Sequence, residues 1–335
     1  MVEVGKFGDK TIVIDGRYIS IFKAGKLLKK YKYMTYRLPD GYDYLYRRPI
    51  TITEKSGADL TDYQVKIVIS GDDPIWNHAR CDGADIRFCY HEEEQMLPYW
   101  IEKYDPLNKE AIIWVKVPSI PANSTINIFM YYGNEDVTSE SDGEATFIFF
   151  DDFETDLSKW DVVTDGGTIE LSTLYAKQGK QSCRIYHAGT TATFDCYIKH
   201  DLGESLDNVR VDVYLFHRSP QGVLWIGESG YDPMGIGDDG NHSNWRYRLG
   251  GTWYDSGIAR DFCKWHEFSI AKIGRTAKYW IDGSELEPKS NNPGFREIML
   301  GGFWENNVET HLFVDIVRVR KYVEPEPTIS VGAEE

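Results

Sequence analysis

The chain has 335 residues, 41% of them hydrophobic and 14% aromatic, which predicts two folded domains of ordinary size. Its net charge of −16 argues against a nucleic acid partner, because phosphate contacts need clustered Lys and Arg. No segment reaches the ~18 apolar residues of a membrane-spanning helix, and residues 1–16 lack the apolar stretch of a signal peptide.

The first 45 residues predict a small β appendage. Strand patterns in KTIVIDG, YISIF and LLKKYKYMTYRL are separated by the turn sequences IDGRY and KAGK, and LPDGYD at 38–43 is a connector. The one basic run, residues 23–33, is typical of lysines on an exposed edge strand. Because an edge strand is a template for pairing with another chain, residues 1–45 are expected to support self-assembly.

Residues 46–146 predict a first β-sandwich. Alternating strand patterns recur at the spacing of sandwich folds, from RRPITIT and YQVKIVIS to KEAIIWVKVPSI and STINIFMYYG. The polar stretch at residues 136–146, which begins DVTSESDGEA, has no strand pattern and is predicted to be the linker that ends this domain.

Residues 147–335 predict a second sandwich. Strand patterns from QSCRIYHA to HLFVDIVRVRKY follow the opening FIFFDDFE, many of them separated by Gly, Asp or Asn turns. No long amphipathic helix is indicated anywhere. The predicted fold class is therefore all-β, with two β-sandwiches and a small N-terminal β appendage.

Two stretches resemble known families. Through YRRPITI, LPYWIE and AIIWVKVPSIPANSTINIFMYYGN, residues 46–135 resemble a β-sandwich family of unknown function from archaeal and bacterial surface proteins. That resemblance implies that Trp100 and Trp114 lie in the core. Through FFDDFE, KWHEFSIAKIGRTAKYWIDG and LFVDIVRVRKY, residues 148–323 resemble a concanavalin-A-like or laminin-G-like jelly roll. That fold hosts lectins, glycosidases and adhesion modules, so it leaves the function open.

An acidic group, Asp151, Asp152 and Glu154, follows the first strand of this jelly roll. Jelly-roll glycosidases set their carboxylates on one strand as Glu-x-Asp-x-x-Glu, a spacing that this chain lacks. Related carbohydrate-binding jelly rolls often hold a structural calcium ion between the first and last strands, which would make Asp315 the partner of these acids. The alternative is that the acids cap loops and face water.

A group of aromatic residues lies in the middle strands of the second sandwich. In concanavalin-like sandwiches these strands line the concave face, where flat rings and a few polar groups can hold a sugar. Some of the rings are expected to be core residues, which the sequence alone does not separate from the rest. The predicted ligand-binding residues are Trp225, Trp245, Tyr247, Trp253 and Tyr254.

Cys183 and Cys196 are a candidate disulfide. If Gly189-Thr190 is a two-residue turn, the two cysteines face each other across a hairpin, where a bridge is geometrically feasible. Two small apolar residues on one sheet face are the alternative. The chain has no C-x-x-C pattern, which argues against a zinc ribbon or a thioredoxin-type motif.

These patterns favour a non-enzymatic surface-recognition or adhesion protein that binds glycans or a cell-surface partner. Its expected location is extracellular, on a cell surface or on a virion surface as a fibre or spike component. The alternatives are a glycoside hydrolase or lyase, or its accessory module, and a ligand-free structural subunit of a filament or capsid.

Overall fold

Nearly every regular element of the chain is a β-strand. The computed structural model describes residues 2–15, 18–32, 35–189, 195–240, 242–303 and 308–335. Within them, helix is confined to α1 (Ile75–His78) and α2 (Gly143–Thr146). The chain divides into a first unit, residues 1–146 with 325–335, and a second unit, residues 147–324. The predicted all-β class is confirmed.

The first four strands form a separate antiparallel sheet at the start of the first unit. They follow one another in the order of the chain, so the lysine-bearing fourth strand lies at an edge, as the sequence predicts. Among residues 4–6, 8–13 and 19–29, no side chain is buried. The strands are β1 (Val2–Phe7), β2 (Lys10–Asp15), β3 (Tyr18–Lys23) and β4 (Lys26–Lys32).

The rest of the first unit is a β-sandwich. Alternate residues of its strands are buried, as in Tyr46–Thr53, because one face of each strand turns toward the core. Trp100 and Trp114 are buried, as expected. Its strands are β5 (Tyr36–Arg37), β6 (Asp43–Tyr44), β7 (Tyr46–Thr53), β8 (Leu60–Ser70), β9 (Arg87–Tyr90), β10 (Gln95–Met96), β11 (Tyr99–Asp105), β12 (Glu110–Ile120) and β13 (Thr125–Tyr132).

The second unit is a sandwich of two large antiparallel sheets of the predicted jelly-roll kind. Its strands are β14 (Phe149–Asp151), β15 (Asp161–Val163), β16 (Thr168–Ser172), β17 (Ser182–His187), β18 (Asp195–Asp201), β19 (Val209–His217), β20 (Gly222–Gly227), β21 (Met234–Asp238), β22 (Asn244–Leu249), β23 (Thr252–Ala259), β24 (Trp265–Ile273), β25 (Thr276–Ile281), β26 (Ser284–Glu285), β27 (Lys289–Ser290), β28 (Glu297–Phe303) and β29 (Thr310–Lys321).

The two sheets of this unit enclose one hydrophobic core. A seven-stranded sheet has the order β15-β18-β28-β20-β21-β22-β23, and a nine-stranded sheet has the order β16-β17-β29-β19-β24-β25-β26, with β14 beside β29 and β27 beside β25. Leu224 and Ile236 of the first sheet and Val213 and Phe268 of the second belong to the same buried cluster. The seven-stranded sheet therefore has one core face and one opposite face.

The predicted appendage is shorter in the structure than residues 1–45. Strands β5 and β6 form a small hairpin, and Leu38 and Tyr44 are buried with Cys89, Tyr131 and Val137 of the first sandwich. Burial of these two side chains removes apolar surface from water. Residues 36–44 therefore belong to the first sandwich, and only the β1–β4 sheet stands outside it.

The end of the chain also differs from the prediction, which assigned residues 147–335 to the second sandwich. The last strand, β30 (Thr328–Val331), pairs antiparallel with β7, so that the sheet order of the first sandwich is β10-β9-β13-β7-β30, beside β11-β12-β8. Glu335 and Arg47 exchange backbone hydrogen bonds, and the Arg47 guanidinium donates to the Glu335 carboxylate. Residues 325–335 thus complete the first unit.

Candidate functional site

The face of the seven-stranded sheet that points away from the core, here called the outer face, is the candidate site. Along β20, Leu224 lies in the core and Val223 and Trp225 lie on the outer face, because successive side chains alternate. The strand register extends each position into a row. One row is Lys199, Met299, Trp225, Gly235, Arg248 and Trp253, and the next is Tyr197, Gly301, Val223, Gly237, Arg246 and Asp255.

Two indole rings and a guanidinium group form the centre of the outer face. The Cζ atom of Arg248 lies 4.8 Å from the ring centre of Trp225 and 5.5 Å from that of Trp253, within the range of cation–π contacts. The Nε atom of Arg248 donates to the carbonyl oxygen of Gly250. Burial lowers the pKa of Arg248. Trp253 and Arg248 are half-buried, so both can reach a ligand.

Glycines form the floor of the outer face between these rings. A Cβ atom at Gly235 would lie 3.2 Å from Cε3 of Trp225 and 3.6 Å from Cη2 of Trp253, so glycine lets both rings lie against the sheet. Gly301 has a φ of +149°, and a Cβ there would collide with the backbone of Cys196. The glycines therefore let the two rings and the neighbouring strands pack closely on the outer face.

Of the five predicted ligand-binding aromatics, only two lie on the outer face. Trp225 and Val223 form one apolar cluster there, against which Trp253, Tyr197 and Met299 pack. The other three lie on the core side of the sheet. Trp245 and Tyr247 alternate with Arg246 and Arg248 along β22 and are buried in the core, so they cannot stack on an external ligand while the sandwich is folded. Tyr254 lies opposite Tyr247 on β23 and packs against the core, half-buried, on the face away from Trp253.

Residues that sequence reasoning missed are Arg248, Met299, Tyr197 and the glycine floor. A signal for Arg248 was present in Asn244–Leu249, NWRYRL, where aromatic or aliphatic and polar side chains strictly alternate. With the strand bounds known, this alternation assigns the arginines to the face opposite Trp245. Met299 and Tyr197 carry no such signal, because they reach the site only through cross-strand register.

The predicted metal ligands lie where the first and last strands of the second unit meet. Strand β14 pairs with β29, with Asp151 opposite Val317, so the acids after β14 come close to Asp315. Asp151 is buried and accepts hydrogen bonds from the Trp160 indole at 2.6 Å and the Phe153 amide at 3.0 Å. The hydrogen-bond partners of this carboxylate therefore come from the fold itself.

Glu154 also has partners of its own. Its carboxylate accepts hydrogen bonds from the backbone amides of Lys180, at 2.7 Å, and Gln181, at 3.0 Å. It lies against Gly179, where a Cβ atom would collide with it. Glu154 therefore fastens the loop before β17 to the end of β14.

The carboxylate of Asp152 lies close enough to Asp315 for its charge to affect the Asp315 carboxyl group. Burial raises the pKa of Asp315 to about 7, and the charge of Asp152 raises it as well, against the backbone amides of Lys177, Gln178 and Ile316. Among the residues described, no group of three His, Cys, Asp or Glu side chains gathers as metal ligands. A calcium ion here would use these two carboxylates and backbone carbonyl oxygens, which fits its preference for oxygen ligands. Calcium remains a prediction.

The predicted hairpin between Cys183 and Cys196 is not formed. Strand β17 pairs with β16 and β29 in the nine-stranded sheet, whereas β18 pairs with β15 and β28 in the seven-stranded sheet. Of the predicted turn, Gly189 is described and position 190 lies outside the described residues. Both cysteines are buried free thiols. Burial raises the pKa of Cys196 to about 11 and that of Cys183 well above its usual range.

Comparison with known proteins identifies one family. Residues 82–163 match the family described as Domain of unknown function (DUF2341). The matched residues are less than half of the chain. No curated protein is similar in sequence. The family match and the two units of the fold support a tandem of this domain and a jelly roll.

Solved structures similar to this chain cover about half of it. Cellulose induced protein Cip1 has a TM-score of 0.43 at 15% identity, over 51% of this chain and 96% of its own. Domain 4 of AbnA, a GH43 extracellular arabinanase from Geobacillus stearothermophilus in complex with arabinotriose, has 0.41 at 16%, over 52% and 92%. The laminarinase catalytic domain from Thermotoga maritima has 0.39 at 13%, over 53% and 98%. These low scores do not carry a function over to this chain.

Proposed function

We propose that the second unit is a non-enzymatic glycan-binding module and that the glycan lies across the outer face. The observation that supports this is the group at the centre of the outer face, where Trp253 and Arg248 are half-buried beside Trp225. Flat rings suit the C–H surfaces of a sugar, and nearby polar groups suit its hydroxyls.

The partners of the acidic side chains favour binding over hydrolysis. Glu297 lies opposite Asp201 on neighbouring strands of the outer face. Glu297 pairs with Lys199 at 3.4 Å, and Asp201 accepts two hydrogen bonds from the Arg296 guanidinium, which lower the pKa of Asp201. A glycosidase pair needs one carboxyl group whose pKa is raised, so that it can act as the general acid.

In this proposal the protein works at a surface, extracellular or on a cell or virion, as a recognition or adhesion protein. The sheet β1–β4 supplies a means of self-assembly, because its described side chains stay unburied within the chain and its edge strands can pair with another copy. No helix among the described residues has both the length and the apolar character needed to cross a membrane.

A glycan-array screen of the full chain, followed by titration calorimetry with the best hit, tests the glycan-binding proposal. Trp253→Ala should weaken binding on the order of tenfold, about 1.4 kcal/mol, because a stacking ring is lost. Leu174→Ala is the matched control, since Leu174 is an apolar side chain of the same unit, 66% exposed and absent from the outer-face rows. It should bind as the wild type does.

A reducing-sugar assay run on the same glycans separates binding from catalysis. Release of new reducing ends by the wild type would replace the proposal with the hydrolase alternative. An array without any bound glycan, or a Trp253→Ala variant with unchanged affinity, would remove the outer face as a glycan site.

A further inference from the structure

Arg248 packs its guanidinium group against two rings but leaves part of its hydrogen-bonding capacity unused. Its Nε atom donates to Gly250, while its two terminal nitrogens donate no hydrogen bond to any described residue. The side chains in the described ranges include no carboxylate that forms an ion pair with Arg248 within 4 Å; Asp239 acts on it only at longer range. The cation–π contacts with Trp225 and Trp253 and the hydrogen bond to Gly250 hold the group in place.

This arrangement suits an oxyanion that can present two oxygen atoms side by side. The terminal nitrogens of arginine form a fork that binds a carboxylate or sulfate through two parallel hydrogen bonds. A guanidinium already oriented by packing loses little conformational entropy when it binds. Since Arg248 is partly removed from water, an anion in contact with it would also meet a weakly screened charge.

We propose that the glycan bound on the outer face carries an acidic group, a carboxylate or a sulfate, and that Arg248 binds this group bidentately. The inference rests on the proposed glycan-binding function and names the class of glycan. In this arrangement the sugar ring that bears the acid stacks on Trp253, which is the half-buried ring of the pair.

The other basic groups of the outer face have acidic neighbours, which makes Arg248 the specific partner. Lys199 pairs with Glu297 at 3.4 Å, and Arg246 lies opposite Asp255 on the neighbouring strand. Arg248 lies instead against the rings of Trp225 and Trp253. The net charge of −16 provides no long-range attraction for a polyanion, so selectivity for the acid must come from short-range contacts.

The test compares matched sugars on the full chain by calorimetry. One pair is an oligogalacturonate and its methyl ester, and the other is a heparin-derived oligosaccharide and its desulfated form. We expect one acidic form to bind at least tenfold more tightly than its masked partner, which identifies carboxylate or sulfate as the source. Arg248→Met, which keeps the length of the side chain without its charge, should bring both forms of that pair to equal affinity.

Arg246→Gln is the matched control on the same strand face and should keep the preference for the acidic form. Equal binding of masked and unmasked sugars by the wild type would overturn the inference, as would an Arg248→Met variant that keeps the preference. A chain that binds only neutral glycans on the array also overturns it but leaves the proposed function standing. A chain that binds no glycan removes both.

Discussion

His217 is a buried, uncharged imidazole in the core of the second unit. Its Nε2 atom lies 2.9 Å from the carbonyl oxygen of Gly222, which makes Nε2 the donor, and its Nδ1 atom has no hydrogen-bond partner among the described residues. The rings of Trp245 and Phe268 lie 4.9 and 5.9 Å away. Burial lowers the pKa of His217 to about 4.

This lowered pKa predicts a loss of stability in acid. Below pH ~6.5 the imidazole of His217 binds a proton in the unfolded chain but stays uncharged in the folded chain. The free energy of unfolding therefore falls as the pH drops toward 4. The loss should reach roughly 3 kcal/mol. His217→Gln, which cannot titrate, should flatten the decrease of the melting temperature of the second unit between pH 6.5 and 4, measured by scanning calorimetry.

His266 offers a matched control with the opposite sign. It contacts Asp282 at 2.7 Å, and although burial works against the charged form, this contact and the carbonyl of Asp261 raise its pKa. Its protonation therefore favours the folded chain in acid, and His266→Gln should make the loss of stability steeper. A His217→Gln variant with the same pH dependence as the wild type would contradict the assignment.

The calcium prediction can also be tested at single residues. If calcium binds between Asp152 and Asp315, chelation should lower the melting temperature of the second unit, because the ion binds only the folded state. Asp152→Asn should remove this response while keeping the fold, since Asp315 also holds three backbone amides. Asp156→Asn, at an exposed acid, should keep it. A wild type that does not respond to chelation would leave the acids as loop caps.

The sequence predicted some residues of these sites and not others, for a definite reason. The prediction that Asp151, Asp152 or Glu154 lies near Asp315 came from the resemblance to jelly rolls, in which the terminal strands are commonly neighbours. Which of Trp245 and Trp253 faces outward depends on strand bounds, because a shift of one residue moves a side chain to the other face. Those bounds, and the bulge between Asn244 and Arg246, are set by tertiary pairing.

At the scale of elements, β30 is the strand on which the first sandwich depends. Beyond its pairing with β7, the Glu334 carboxylate accepts hydrogen bonds from Tyr132 at 2.7 Å and contacts His78 at 2.8 Å. Deletion of 325–335 should therefore lower the melting temperature of the first unit by several degrees and leave that of the second unchanged. Scanning calorimetry of the full chain separates the two effects if the units melt apart.

Deletion of residues 332–335 alone is the comparison for this experiment. It removes the contacts of Glu334 and Glu335 but keeps β30, so it should destabilise the first unit less than the longer deletion does. An unchanged first transition in the longer deletion would show that β7 does not need its neighbour.

The sequence did not reveal this role of the C-terminal strand. The segment Thr328–Val331 is short, and its partner Tyr46–Thr53 lies at the other end of the chain, with a whole unit between them. Strand periodicity identifies a strand but not its partner. The polar stretch 136–146 shows the same limit, since Arg87 and Gln64 hold it to the first sandwich through the carbonyls of Thr138 and Thr146.

At the scale of the whole molecule, the β1–β4 sheet should control self-association. The register places Ile12 opposite Ile21, so apolar side chains share a face that the chain does not bury. Deletion of residues 1–34 should give a monomer in light scattering at a concentration where the wild type is multimeric. The deletion stops before 36–44, because that hairpin belongs to the first sandwich.

Ile12→Lys with Ile21→Lys is a milder version of the same change, since two like charges placed on this face repel a second copy. Lys10→Ala, at an exposed position of the same sheet, is the control and should keep the multimer. A wild type that stays monomeric at high concentration would remove the self-assembly proposal.

The separation of β7 from β30 along the chain has a consequence during biosynthesis. A ribosome adds roughly 5–20 residues each second, so the second unit takes on the order of 10–35 s to make after residue 146 has emerged. Throughout that interval one edge of β7 has no partner strand. A neighbouring nascent chain can add a strand to this unpaired edge. This exposure of the β7 edge ends only when residues 325–335 have left the ribosome and β30 pairs with β7.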